Sequence, residues 1–168
     1  MKYILETERL KLREFTLQDA DFIIELLNSP GWLQFIGDKN VKNKEQATTY
    51  LLNGPLKSYA ENGFGLSLVE KKEDKTAIGM CGIIKRENLD HPDIGFAFLP
   101  AFNGQGYAFE IASATLLHAK EKLGIQKISA ITMAANVKSI QLIEKIGLRY
   151  IKTFCFPNSE TELQLYSN

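Results

Sequence analysis

The stretch with the clearest chemical content is Phe98-Leu99-Pro100-Ala101-Phe102-Asn103-Gly104-Gln105-Gly106-Tyr107-Ala108-Phe109-Glu110. It reads as a strand, a glycine loop and the start of a long helix. The first turn of a helix leaves backbone N–H groups without partners, and its dipole end is positive. Glycines let a ligand approach that backbone closely, so the junction suits a phosphate. Two common nucleotide loops do not fit. A dinucleotide fingerprint needs glycine or alanine where Phe109 stands, and an acid after the next strand. Gly124-Ile125-Gln126-Lys127 supplies no such acid. A Walker A loop needs Gly-Lys followed by Ser or Thr, which is absent. Gly-x-Gly by itself is equally compatible with a plain tight turn between strand and helix.

Other reactive residues are scattered. His91 and His118 are isolated, with no cluster at ligand spacing, so no metal site is expected. No Gly-x-Ser-x-Gly occurs, so a hydrolase nucleophile is not signalled. Cys81 and Cys155 lie in the apolar runs Met80-Cys81-Gly82-Ile83 and Phe154-Cys155-Phe156. They read as two buried thiols in a reducing compartment, which points to the cytoplasm.

The elements that must position these residues follow from periodicity and caps. Arg9–Phe15 alternates with period two, as a first strand does. Thr16-Leu17-Gln18-Asp19 resembles a capping box opening a helix to Leu27, and Asn28-Ser29-Pro30-Gly31 stops it. Trp32–Gly37 is apolar without a clear period. A second helix is expected over Lys44–Ala60, bent or split at Gly54-Pro55. Strands are expected at Phe64–Glu70 and Ile78–Lys85, joined by a charged turn, and at Asp93–Leu99. A helix spans Gly106–Leu123 with Gly124 as its C-cap. A strand covers Lys127–Met133, and Asn136 caps a helix ending at Gly147. Arg149–Phe156 and Glu162–Tyr166 make a closing hairpin. A β meander followed by crossover helices implies an α/β fold: one mixed sheet with helices on both faces.

Length and composition narrow the classes. The chain has 168 residues, 20 basic and 20 acidic side chains, and zero formal net charge. No repeat, low-complexity tract or linker divides it, so a single domain over residues 1–168 is expected. A basic footprint for nucleic acid is missing. A membrane span of about 20 apolar residues is also missing, and Glu6 and Glu8 interrupt any export signal.

Three segments, in order, resemble the GNAT N-acetyltransferase superfamily. Asn103-Gly104-Gln105-Gly106-Tyr107-Ala108 is similar to its acyl-CoA pyrophosphate loop, Gln/Arg-x-x-Gly-x-Gly/Ala. Asn136-Val137-Lys138-Ser139 and the helix to Gly147-Leu148 are similar to its second signature. Leu5–Arg13 looks like the opening of the branch that contains ribosomal-protein-alanine acetyltransferases. The resemblance implies a central mixed sheet splayed at the cofactor site, with acetyl-CoA (CoA) as cofactor. Backbone N–H groups around Gly104, Gln105, Gly106, Tyr107 and Ala108 would hold the pyrophosphate, with Asn103 in the place of the family's Gln/Arg. Phe98 and Leu99 would pair with the pantetheine arm, and Asn136 would sit beside it while also capping its helix.

The same resemblance implies roles in catalysis. Acyl transfer to an amine requires loss of a proton from the ammonium, stabilisation of the carbonyl oxygen and departure of the thiolate. Asp93 stands where the family often carries a carboxylate base. Ile143 occupies a position where many relatives have a tyrosine acid, and Ser139 is the best replacement donor. Trp32, Phe35 and Tyr59 lie in the region that the family closes over its acceptor. The implied activity is transfer of acetyl to a primary amine, on a protein N-terminus or a small molecule, by a monomer or homodimer. Two alternatives compete. One is a non-catalytic acyl-CoA-binding regulatory module on the same fold, suggested by Ile143 and Asn103. The other is a nucleotide- or flavin-binding α/β domain, against which the missing ribose acid and the β meander both count.

Overall fold

The computed structural model describes all residues, Met1–Asn168. Eight strands form one sheet: β1 Tyr3–Glu6, β2 Leu10–Arg13, β3 Leu66–Lys71, β4 Ala77–Ile84, β5 Asp93–Phe98, β6 Ser129–Thr132, β7 Arg149–Phe154 and β8 Leu163–Ser167. Their spatial order is β1-β2-β3-β4-β5-β6-β8-β7. All neighbours are antiparallel except β5 and β6, which run parallel. A parallel pair needs a crossover, and the helix α5, Tyr107–Glu121, supplies it.

The strands alternate their side chains between two cores. Leu12 and Val69, opposite each other on β2 and β3, join Cys81, Ile94, Ile111, Ala112, Leu116 and Ile143 on one face. Here α5 and α6, Val137–Lys145, cover the sheet. Leu68 and Met80, one residue along and also opposite each other, turn to the other face. There they meet Ile23, Leu26 and Leu27 of α1, Ala20–Leu27, and Trp32 of α2, Pro30–Phe35. Ala47 and Leu51 of α3, Lys44–Leu51, complete that core. Helices therefore lie on both faces, because each face of the sheet is apolar.

Local rules account for most boundaries. Thr16 caps with its hydroxyl on the Gln18 N–H, and the Asp19 carboxylate accepts from the Thr16 N–H at 2.8 Å. Pro30 both ends the α1 region and sits in the first turn of α2, where its missing N–H costs nothing. At Gly54-Pro55 the helix does not break. It widens into a π-helical segment, Leu52–Leu56, and continues as α4, Lys57–Asn62. The wider turn accommodates a proline that has no N–H to donate. The extra strand β1 had no distinct alternation to mark it, yet it pairs with β2 and donates the Tyr3 hydroxyl to Glu70 at 2.7 Å. Cys81 is buried as expected, but Cys155 is exposed, because it lies beyond the end of the solvent-facing edge strand β7. No helix is long and apolar enough to cross a membrane.

Candidate functional site

The glycine loop is shaped to present N–H groups. Gly104 and Gly106 adopt φ of 76° and 82°, the left-handed region that glycine enters without a Cβ penalty. The first backbone bond into α5 runs from the Glu110 N–H to the Gly106 carbonyl at 3.1 Å. The N–H groups of Gly104, Gln105, Gly106, Tyr107, Ala108 and Phe109 donate to no carbonyl or side chain of the protein. A Cβ built on Gly104 would meet nothing within 4 Å, and one on Gly106 would meet Arg9 Nη2 at 3.4 Å. Six consecutive donors at the positive end of a 15-residue helix make a cradle of the kind that can hold a multiply charged anion.

Arg9 braces this cradle from below, and nothing in its local sequence announced that role. Its Nε donates to Glu110 Oε2 at 2.7 Å and its Nη1 to the Gln105 carbonyl at 3.0 Å. Its guanidinium carbon lies 4.4 Å from the centre of the Tyr107 ring. Glu110 also accepts from the Arg9 N–H at 2.9 Å and the Thr7 hydroxyl at 2.6 Å. Arg9 thereby holds the Gln105–Gly106 peptide, whose N–H is one of the unpartnered donors. Although burial opposes it, the hydrogen bonds from Thr7 and Arg9 hold the Glu110 carboxyl below its usual range.

Beside α5 the sheet opens. Strands β5 and β6 share a single register pair, Asp93 opposite Ser129, and then diverge. The wedge between them is a cleft of about 660 Å³. One wall is the free edge of β5 at Gly95, Phe96 and Ala97, and the other is Thr132, Met133, Asn136, Ser139 and Ile143. Trp32, Phe35 and Ile36 close it from the α2 side, and Phe156 and Leu163 from the β7–β8 side. Asp93, at the vertex, is 1% exposed. Its Oδ1 accepts from Arg86 Nε at 2.9 Å, while its Oδ2 is buried with no partner. Burial raises the Asp93 pKa above the usual carboxylate value, and the Arg86 charge only partly opposes this.

The Acetyltransferase (GNAT) domain matches residues 9–149. The chain belongs to the GNAT acetyltransferase family. It is 32% identical to YkkB of Bacillus subtilis over 154 residues, 89% of this chain and 87% of that protein. Its fold is similar to a GNAT-family acetyltransferase of Bacillus anthracis, with a TM-score of 0.80 at 23% identity, covering 99% and 97% of the two chains. It is also similar to RimL, a ribosomal L7/L12 alpha-N-protein acetyltransferase solved in complex with coenzyme A. That TM-score is 0.80 at 15% identity, covering 99% and 97%.

Within this GNAT fold the residues singled out from the sequence do not all come together. Asp93, Asn136, Ser139, Trp32 and Phe35 converge on the cleft. Asn136 Oδ1 accepts the Ser139 N–H at 3.3 Å, the cap expected of it, and the Ser139 hydroxyl makes no hydrogen bond within the protein. Asn103, Gly104, Gln105, Gly106, Tyr107 and Ala108 form the separate cradle at the α5 terminus, with Gln105 Nε2 donating to the Ala101 carbonyl at 3.0 Å. Phe98 and Leu99 connect the two, but their side chains turn into the cores on opposite faces. Tyr59 stands apart. Its hydroxyl accepts from the Phe15 N–H at 3.0 Å and donates to the Leu66 carbonyl, tying α4 to the sheet, and it lines no part of the cleft. Burial pushes that phenol up to about 12. Ile143 is buried at the cleft floor, apolar and unable to give a proton. Arg86, which no sequence pattern marked, is the residue that pairs with Asp93.

Proposed function

We propose that this GNAT acetyltransferase moves an acetyl group from acetyl-CoA to a primary amine, on a protein N-terminus or a small molecule, by direct attack on the thioester. The observation that carries the reading is the divergence of β5 and β6 after one register pair, with a partner-free carboxylate oxygen at the vertex. It supports a reaction centre in the wedge, reached from the cradle along the edge of β5.

The residues present fit the cofactor. Six unpartnered N–H groups suit a pyrophosphate, and the free edge of β5 offers backbone groups to an extended amide-bearing arm. When bound, acetyl-CoA supplies an activated acetyl group and a thiolate leaving group. In this reading Asp93, directly or through one water, accepts the proton lost by the ammonium. The Ser139 hydroxyl, free of any internal partner, donates to the departing thiolate, the role Ile143 cannot fill. Backbone N–H groups at the end of β5 steady the carbonyl oxygen. Trp32 and Phe35 exclude water from the acceptor end. The neutral overall charge agrees with a cofactor held by backbone donors, and we place the activity in the cytoplasm.

The test is to incubate the protein with acetyl-CoA and a panel of amines and peptides and follow free thiol. Amine-dependent release is expected. Absence of coenzyme A binding by calorimetry overturns the reading, and binding with no turnover of any amine gives the non-catalytic module instead.

A further inference from the structure

The charged groups of the cleft point to a particular kind of acceptor. Only three of its lining residues are ionisable, Asp93, Arg86 and Lys39. Two are cationic, and the one anion is committed at Oδ1 to Arg86. A guanidinium has five N–H donors. Arg86 uses one of them, and its Nη1 and Nη2 donate to nothing in the protein. Lys39 makes no ion pair and is exposed. The protein has two buried side-chain polar atoms without partners, Asp93 Oδ2 and Trp32 Nε1, and both belong to residues lining this cleft. Trp32 is 7% exposed and Asp93 1%. Leaving such atoms unpaired carries a desolvation cost that a bound ligand removes.

The residues lining the cleft thus carry one unpartnered acceptor and several unpartnered donors. Asp93 Oδ2 lacks a donor. Arg86, Lys39 and the Trp32 indole lack acceptors. The rest of the lining, including Phe35, Ile36, Met80, Ile131, Phe156 and Leu163, is largely apolar. Resting on the acetyltransferase reading above, we propose that the acceptor is a small zwitterion: a primary amine flanked by an anionic group, such as an α-carboxylate, on an apolar body. The ammonium faces Asp93. The carboxylate takes the Arg86 Nη edge, where a planar fork matches two oxygens. Because Arg86 spans Asp93 and the carboxylate, the charges alternate along the site. A polyamine would bring a second cation against Arg86 and Lys39, and like charges at close quarters reject it.

The step balances without further reagents. The ammonium gives one proton to Asp93, and the free amine nitrogen bonds to the acetyl carbon. As the carbon–sulfur bond breaks, the second nitrogen proton replaces the one that Ser139 or water gives to the thiolate, which leaves a neutral amide, a free thiol and one proton that Asp93 returns to solvent.

The experiment measures kcat/KM with acetyl-CoA for L-phenylalanine, L-leucine and L-methionine, their primary amides, 2-phenylethylamine and spermidine. The free acids are expected to exceed their amides by at least tenfold. An amide's amine is the less basic, so its larger unprotonated fraction biases the comparison against this result. In Arg86→Gln the acid-to-amide ratio should collapse towards one. Any damage to Asp93 in that variant lowers both substrates alike and leaves the ratio to report carboxylate recognition. Calorimetric titration of the same pairs into protein saturated with coenzyme A gives a readout independent of turnover, and the acids should bind more tightly. Equal handling of acids and amides, preference for spermidine, or an unchanged ratio in Arg86→Gln overturns this proposal while leaving acetyl transfer intact. Loss of coenzyme A binding, or no turnover of any amine, overturns the reading beneath it.

Discussion

Replacing Arg9 by alanine tests whether the cradle at α5 is held ready for its anion. The side chain makes one hydrogen bond to Glu110 at 2.7 Å, one to the Gln105 carbonyl at 3.0 Å and a stacking contact on Tyr107 at 4.4 Å. It is 42% exposed, so its ion pair is screened and contributes in the lower range of about 0–1 kcal/mol. The larger effect is on the loop. Fixing the backbone of one residue costs roughly 1–2 kcal/mol. Without Arg9 the Gln105 peptide is no longer held, and the ligand must supply that ordering itself. Coenzyme A affinity should then fall by about 1–2 kcal/mol, roughly 5- to 30-fold. Calorimetric titration of coenzyme A measures it directly. The kcat at saturating acetyl-CoA should stay near the parent value, because no reacting atom is touched. Arg9→Lys keeps the charge and loses the fork, so it should recover only part of the affinity. A Kd within twofold of the parent in a folded Arg9→Ala protein refutes the bracing role. Full recovery in Arg9→Lys would show that charge, not geometry, is what matters.

Four further outcomes follow from the cleft and the packing around it. Asp93→Asn should lower kcat by roughly 10²- to 10⁴-fold, the contribution of a positioned base, with circular dichroism unchanged. Asp93 must be ionised to accept a proton and its pKa is raised by burial. Activity should therefore fall, as pH is lowered, above the usual carboxylate range, and Arg86→Gln should move that limb to still higher pH. Cys81 is buried, with its thiol pushed up to about 12, whereas Cys155 is exposed. A maleimide should therefore label one thiol in native protein and two after denaturation. Two rapid native labels would contradict the packing around Cys81. In Gly82→Ala, the new Cβ would overlap the Gly65 carbonyl oxygen and lie 2.8 Å from Leu66 Cα, both backbone atoms at the β3 edge. The variant should lose about 3 kcal/mol or more, read as a lower thermal midpoint, and an unchanged midpoint would be inconsistent with the β3–β4 register.

The legible parts of this protein are those governed by neighbours in sequence. The Thr16–Asp19 capping box, the Asn136 cap, the Gly106 start of α5 and the strand at Asp93 all depend on residues within a turn, and all appear in the structure. The unpartnered N–H groups of Gly104–Phe109 are local too, since they come from glycine dihedrals and the first turn of one helix. Where the local signal is weak or ambiguous, the structure differs from the expectation. The strand Tyr3–Glu6 went unmarked, the apolar run around Cys155 suggested burial at an exposed edge, and an aromatic at Tyr59 resembled a pocket wall but anchors α4.

Caps, periods and glycines act over a few residues, and they set most of the elements, their order and the family without reference to the fold. Tertiary structure alone decided which charges meet. Arg9 reaches Glu110 across 101 positions, Arg86 lies against Asp93 through the turn after β4, and Trp32 comes to the same cleft from a different helix. These pairings depend on strand order and on a parallel pair that holds at only one register position, Asp93 with Ser129. Such a gap is a property of how strands diverge in space, and no short-range pattern of residue types encodes it.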